Sequence, residues 1–186
     1  MKITVDEYKA SLNKKIKTPK NKYTPISEIK KYCTKDSNYD LNSLKEYLSE
    51  NYNIKLIKHV FFVNPKAAPR MTQSDKWKTN PFHVDESKRQ RKTVAEYFAF
   101  KNEFIKQCEE QCYDLTEILD IIFVVPIAES KSQKKRKEMM FTKHQIKPDR
   151  DNYLKAVQDS FTGDDGFVYD GRTLKIWGEI GLILIF

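Results

Sequence analysis

Apolar positions along the chain fall into a few runs of distinct period. Residues 56–63, LIKHVFFV, form a compact β-branched and aromatic run ending at Asn64-Pro65, which predicts a strand followed by a stop. Residues 118–125, ILDIIFVV, predict a buried strand closed by Pro126, and GRTLKIW and GLILIF near the end are two further strand candidates. Between the first two strands the period changes to helical. Val94, Tyr97, Phe98, Phe104, Ile105, Cys108 and Cys112 share one stripe behind a capping box, Thr93-Val94-Ala95-Glu96. A second helix, NYLKAVQDSF, has Asp151 as its N-cap and stops before Gly163. Strand, helix, strand, helix, strands in that order predict an α+β domain: a small mixed sheet packed by two main helices.

The remaining segments carry no sheet signal. Residues 1–54 are rich in Lys, Asn, Ser and Tyr, with capping boxes at Thr4–Glu7 and Ser43–Glu46 and a proline-bearing loop, TPKNKYTP. This region is expected to be an N-terminal helical extension, leaving 55–186 as the main domain. KAAPRMTQSDKWKTNPFHVDESKRQRK has no period and many charges, which predicts a long exposed loop of the kind that is functional or mobile. SKSQKKRKEMMFTKH is expected to be an exposed basic stretch, and Pro148 biases Lys147 towards an extended conformation.

Composition narrows the class. The 186 residues carry a formal net charge of +8, with 39% hydrophobic and 12% aromatic residues, enough for a packed core. No apolar run approaches the roughly 20 residues of a membrane-spanning helix. The start, MKITVDEYKA, lacks the apolar stretch of a secretory signal, so an intracellular, cytoplasmic protein with no membrane association is expected. Three cysteines without CxxC spacing, and three scattered histidines (His59, His83, His144), give no zinc pattern. Cys108 and Cys112 are expected to be ordinary buried thiols.

The densest chemistry lies in Lys147-Pro148-Asp149-Arg150-Asp151-Asn152-Tyr153-Leu154-Lys155. In an extended segment residues i and i+2 point the same way, so Asp149 and Asp151 converge, and like charges repel unless a cation lies between them. Lys155 follows one helical turn after Asp151. Such a set suits a hard cation such as Mg²⁺, which prefers oxygen ligands. The plainer reading is of solvated acids at a helix start, where Asp is favoured in any case. Asp164, Asp165 and Asp170 are further acids downstream.

The whole string KPDRDNYLKAVQDSF, preceded by SKSQKKRKEMM and followed by an acidic turn and a strand, resembles the RusA family of Holliday-junction resolvases, of phage and prophage type. There the pattern is K-P-D-x-D-N-L-x-K-A-x-x-D-A-L with a later D-D-x-Q-V/I, and NPKAAPRMTQSDKW is similar to the family's first loop. The resemblance covers about residues 57–186. It implies a homodimeric, Mg²⁺-dependent endonuclease that nicks four-way DNA junctions symmetrically. It carries essential acids onto Asp149 and Asp151 and an essential lysine onto Lys155. The third acid departs from the pattern. Asp170 matches by spacing, with Tyr169 in place of the first aspartate of the pair, while Asp164-Asp165 is a literal pair that comes early. Asp170 is therefore the expected third metal ligand and Asp165 the alternative. Asp159 either pairs with Lys155 or orients outer-shell water.

Phosphate contacts are expected from Lys131, Lys134, Lys135, Arg136 and Lys137, from Lys147 and Arg150, and from Arg70, Lys76 and Lys78 in the long loop. The plainer reading of the basic run is a solvated loop, against which stands its place beside the acidic segment, and Trp77 and Phe82 either pack on unstacked bases or serve local packing. Two other readings stand beside a junction resolvase. One is a catalytically inactive protein that binds branched DNA; the other is a nuclease acting on flaps or forks.

Overall fold

The computed structural model describes residues 41–77, 91–161 and 166–186. Its elements in chain order are α1 (Leu41–Tyr52), β1 (His59–Phe61), α2 (Gln73–Trp77), α3 (Lys92–Glu110), β2 (Ile121–Pro126), α4 (Gln133–Met139), α5 (Arg150–Phe161), β3 (Thr173–Gly178) and β4 (Leu182–Ile185). The strands form one mixed sheet in the order β1-β4-β2-β3. β4 is antiparallel to both its neighbours, whereas β2 and β3 run parallel. A parallel pair needs a long crossover, and here α4 and α5 lie in the connection between β2 and β3. The fold is α+β with a mixed sheet, as the order of periods predicts.

Strand alternation divides the core in two. Phe61, Ile121, Phe123, Ile183 and Ile185 face Tyr97, Phe100, Phe104 and Cys108 of α3 and Tyr153, Ala156 and Val157 of α5. Val60, Ile122, Val124, Ile176, Leu182 and Leu184 face the opposite side, where Leu44 and Leu48 of α1 and Ile54 cover them. Both faces being covered explains why IIFV in β2 and LILI in β4 are buried throughout. Helix α1, from the segment read as an extension, thus supplies one layer over the sheet.

Both outer strands have partners beyond the sheet. Gln107 of α3 and its C-cap Gln111 reach β1 and the residue after it: Phe62 N–H donates to Gln107 Oε1 at 2.8 Å, Gln107 Nε2 donates to Phe62 O at 3.1 Å, and Gln111 Nε2 donates to Val60 O at 2.9 Å. On the β3 side, Phe141 N–H donates to Trp177 O, Trp177 N–H to Thr142 O and His144 N–H to Lys175 O.

Several local expectations give way to tertiary structure. α3 begins at Lys92 with Arg91 as N-cap and no side-chain cap, so the Thr93–Glu96 box is not its start. The buried stripe contains Phe100 rather than Phe98, which is exposed; Cys108 is buried, but Cys112 lies past the helix end, exposed and at φ 51°. The basic stretch is not a loop: residues 133–139 form α4, N-capped by Ser132, whose hydroxyl accepts from Lys135 N–H. α5 starts at Arg150, so Asp151 lies in its first turn instead of capping it.

Candidate functional site

The acidic segment sits where three elements meet. The chain leaves the short run along β3, passes a cis Lys147-Pro148 bond and enters α5 at Arg150. Asp149 therefore immediately precedes the helix and Asp151 lies in its first turn, both exposed. Free N–H groups and the macrodipole at a helix start favour carboxylates there. Beside them opens a cleft of about 420 Å³, lined by Tyr52, Lys143, His144, Asp149, Arg150 and Lys175 among others.

Lys175, in β3, is the group the sequence does not advertise. Its ammonium donates to Ile146 O at 2.8 Å and to Pro148 O, and lies 5.6 Å from the centre of the Tyr153 ring. Burial lowers its pKa, while the charges of Asp149 and Asp151 act in the opposite sense. Next to Lys175, His144 is buried, its ring 4.0 Å from that of Trp177, and burial pushes its imidazole below the ordinary value.

The other residues picked from sequence divide as follows. Lys155 lies along α5 with its ammonium 3.8 Å from Asp159. Asp159 also accepts a 2.7 Å hydrogen bond from Tyr97 Oη of α3, so it links Lys155 to the core helix. The first loop reaches the same helix, since Ala68 N–H donates to Asn152 O at 2.8 Å, and this brings Arg70 within two residues of that contact. Lys147 and Arg150 flank Asp149 and are exposed. Lys134, Lys135, Arg136 and Lys137 lie on α4, which buries no residue, and Lys131 lies in the turn before it. On α4, Arg136 is 3.9 Å from Glu179 and Lys135 is 3.5 Å from Glu138. Lys76 and Trp77 belong to α2, while Lys78, Phe82, Asp164 and Asp165 lie outside the described residues.

Asp170 is placed differently from the pair. It bridges Ile118 ahead of β3, and its Oδ1 accepts from Gly171 N–H at 2.7 Å. Among the described residues no three His, Cys, Asp or Glu side chains are grouped so as to hold a metal ion. What the structure does assemble is a pair of exposed carboxylates at a helix start. That donor set fits Mg²⁺, which is commonly held by one or two carboxylates together with water and substrate phosphates.

A second cluster escaped the sequence reading. Asp75 of α2 is buried and accepts from Thr72 N–H and Oγ1 (both 2.7 Å) and from Arg91 Nε and Nη2 (2.9 and 2.6 Å). Arg91 also donates to Arg70 O at 2.9 Å. These bonds, Arg91's first and then Thr72's, hold the Asp75 carboxyl well below the usual carboxylate range. Asp75 and Arg91 lie on either side of an aperiodic stretch, so no spacing rule links them.

A family model described as endodeoxyribonuclease RusA matches residues 62–185. Comparison with curated proteins and with solved structures gave no match.

Proposed function

Because the chain belongs to the RusA endodeoxyribonuclease family, and so is a nuclease of the Holliday-junction-resolving kind, we propose that it cuts four-way DNA by paired, symmetric, Mg²⁺-dependent nicks in recombination and repair. The observation that supports this most is the pair of exposed carboxylates, Asp149 just before α5 and Asp151 in its first turn, beside an open cleft that Lys143, Arg150 and Lys175 also line. Asp149 and Asp151 would hold Mg²⁺, with Asp170 the third candidate once its carboxylate leaves Gly171 N–H. The bound ion would polarise the scissile phosphate and acidify an attacking water.

The chain's own groups do the rest. Lys155 is a compact cation on the same face of α5 as Asp151, suited to a phosphoryl oxygen. Asp159 and Tyr97 orient it from behind. Lys147, Arg150 and the exposed lysines of α4 neutralise phosphates on either side and fix the DNA without reading its sequence. A C2 dimer would present two such sites to the two strands of a junction.

The test is cleavage of a synthetic four-way junction, with flaps and forks as competitors, across a Mg²⁺ titration. Asp149→Asn and Asp151→Asn should abolish cutting while junction binding is kept or strengthened. Near wild-type cutting by either variant refutes the assigned site. Binding without cutting by the unaltered protein at any Mg²⁺ concentration favours a branched-DNA-binding role instead.

A further inference from the structure

One charged group at the acidic end of α5 has no part in the chemistry assigned to Asp149, Asp151 and Lys155. Lys175 stands on β3, whose six residues pair in register with Ile121–Pro126 of β2. Its own carbonyl is taken by His144 N–H at 3.0 Å. The base of this side chain is therefore fixed by the sheet on both sides. Its tip is tied to a loop: the ammonium donates to Ile146 O and Pro148 O, two of the last three carbonyls before Asp149. In such a tie the strand is the anchor and the loop is what is held.

We propose that Lys175 is a positioning residue for the metal-binding acids. Its ammonium fastens residues 146–148 to β3 and so holds the main chain from which Asp149 and the first turn of α5 present their carboxylates, so that a divalent cation meets ligands on backbone already fixed. This rests on the nuclease reading of the site.

Two physical effects oppose each other here. Ordering the ligands strengthens metal binding, and partners behind a ligand shell commonly matter 10–100-fold in affinity. A nearby ammonium also repels a divalent cation. Both acids are exposed to solvent, where ions screen that repulsion, whereas the hydrogen bonds to the loop are local and unscreened. Ordering therefore prevails, and the direction of the change in affinity tests it.

Mn²⁺ serves as the probe, its binding to the DNA-free protein read by electron paramagnetic resonance. Lys175→Met keeps most of the aliphatic stem and removes the ammonium that lies 5.6 Å from the centre of the Tyr153 ring. It should bind Mn²⁺ about tenfold or more weakly than wild type, with Lys175→Arg between the two. In junction cleavage, Lys175→Met should need more Mg²⁺ for half-maximal rate yet approach the wild-type rate at saturation. Affinity equal to or tighter than wild type would overturn the proposal, making Lys175 merely a counter-charge. A melting curve establishes that the variant folds, and if it does not, Lys175→Gln is judged by the same two outcomes. If Asp149→Asn weakens Mn²⁺ binding and Lys175→Met does not, the proposal alone falls. If Asp149→Asn leaves Mn²⁺ binding unchanged, the metal site and the proposal fall together.

Discussion

Gly171→Ala is the sharpest test of how the strand carrying Lys175 is set in place. Gly171 has φ 144°, a region that residues with a Cβ avoid. A Cβ added there would lie 2.2 Å from Leu119 O, 2.6 Å from Leu119 C and 2.8 Å from Leu119 N. These are backbone atoms, and they are pinned. Leu119 N–H donates to Asp170 O at 3.0 Å, and Ile121 N–H donates to Arg172 O at 2.8 Å. Relief must come from moving one main chain away from the other just where β2 and β3 begin to pair. Adopting an unfavourable backbone conformation costs about 1–3 kcal/mol, and forcing packed main chains apart costs about 1–3 kcal/mol more. The variant should therefore lose about 2–6 kcal/mol, a large share of the roughly 5–15 kcal/mol that holds a domain together. Urea unfolding followed by circular dichroism measures this directly, provided the m-value is unchanged. Gly181→Ala is the comparison, because its Cβ would meet Asn64 Cα at 2.5 Å without a positive φ. It should lose only the packing part, about 1–3 kcal/mol. A loss below about 1 kcal/mol for Gly171→Ala, or one no larger than for Gly181→Ala, would refute the reasoning.

Three further outcomes are expected. Neutralising Lys131, Lys134 and Lys137 together should weaken binding to all junction sequences alike and flatten the salt dependence by a slope of about 0.9 for each phosphate left without its cation; because Arg136 and Lys135 already have acidic neighbours, neutralising those two should change the slope less. Tyr97→Phe removes the hydroxyl that holds Asp159, costing about 0.5–1.5 kcal/mol in stability and slowing cleavage at saturating DNA without weakening DNA affinity. Asp75→Asn should destabilise the protein at neutral pH but not in acid. The Asp75 carboxyl titrates below its unfolded value, so its contribution is complete above about pH 4 and disappears as pH falls through the depressed value. Denaturation midpoints measured from pH 7 to pH 2 should show the gap between wild type and Asp75→Asn closing, and a gap that widens in acid contradicts the assignment.

The strands and the existence of α5 could be read from the chain because their signals are local and strong. ILDIIFVV and GLILIF are apolar on both faces, as strands covered on both sides must be. α4 could not be read this way: QKKRKEM has no apolar face, and it is a helix because Ser132 caps it and the following residues bond to β3. Phe98 and Phe100 are both compatible with a helix. Only the position of β1 and β4 under α3 decides that Phe100 turns inward. The acids of the site were visible as a spaced pair, but Lys175 was not. It joins them only through the pairing of β3 with residues 141–144, a contact across some thirty positions that no periodicity encodes. The arrangement of Asp170 was hidden for the same reason, since it bridges Ile118, some fifty positions earlier.

Gln107 of α3 and its C-cap Gln111 have a consequence for the margin of the sheet. An open sheet normally offers its margin as a template onto which another chain can add a strand. Here Gln107 and Gln111 occupy hydrogen-bonding groups of β1 much as a neighbouring strand would, and residues 141–144 do the same beyond β3. Among the described residues the sheet thereby ends at four strands, with both margins occupied in part against cross-chain strand addition. Two amide side chains one helical turn apart thus act against polymerisation, in a protein whose buried strands, IIFVV and LILI, would be prone to it if they were ever uncovered.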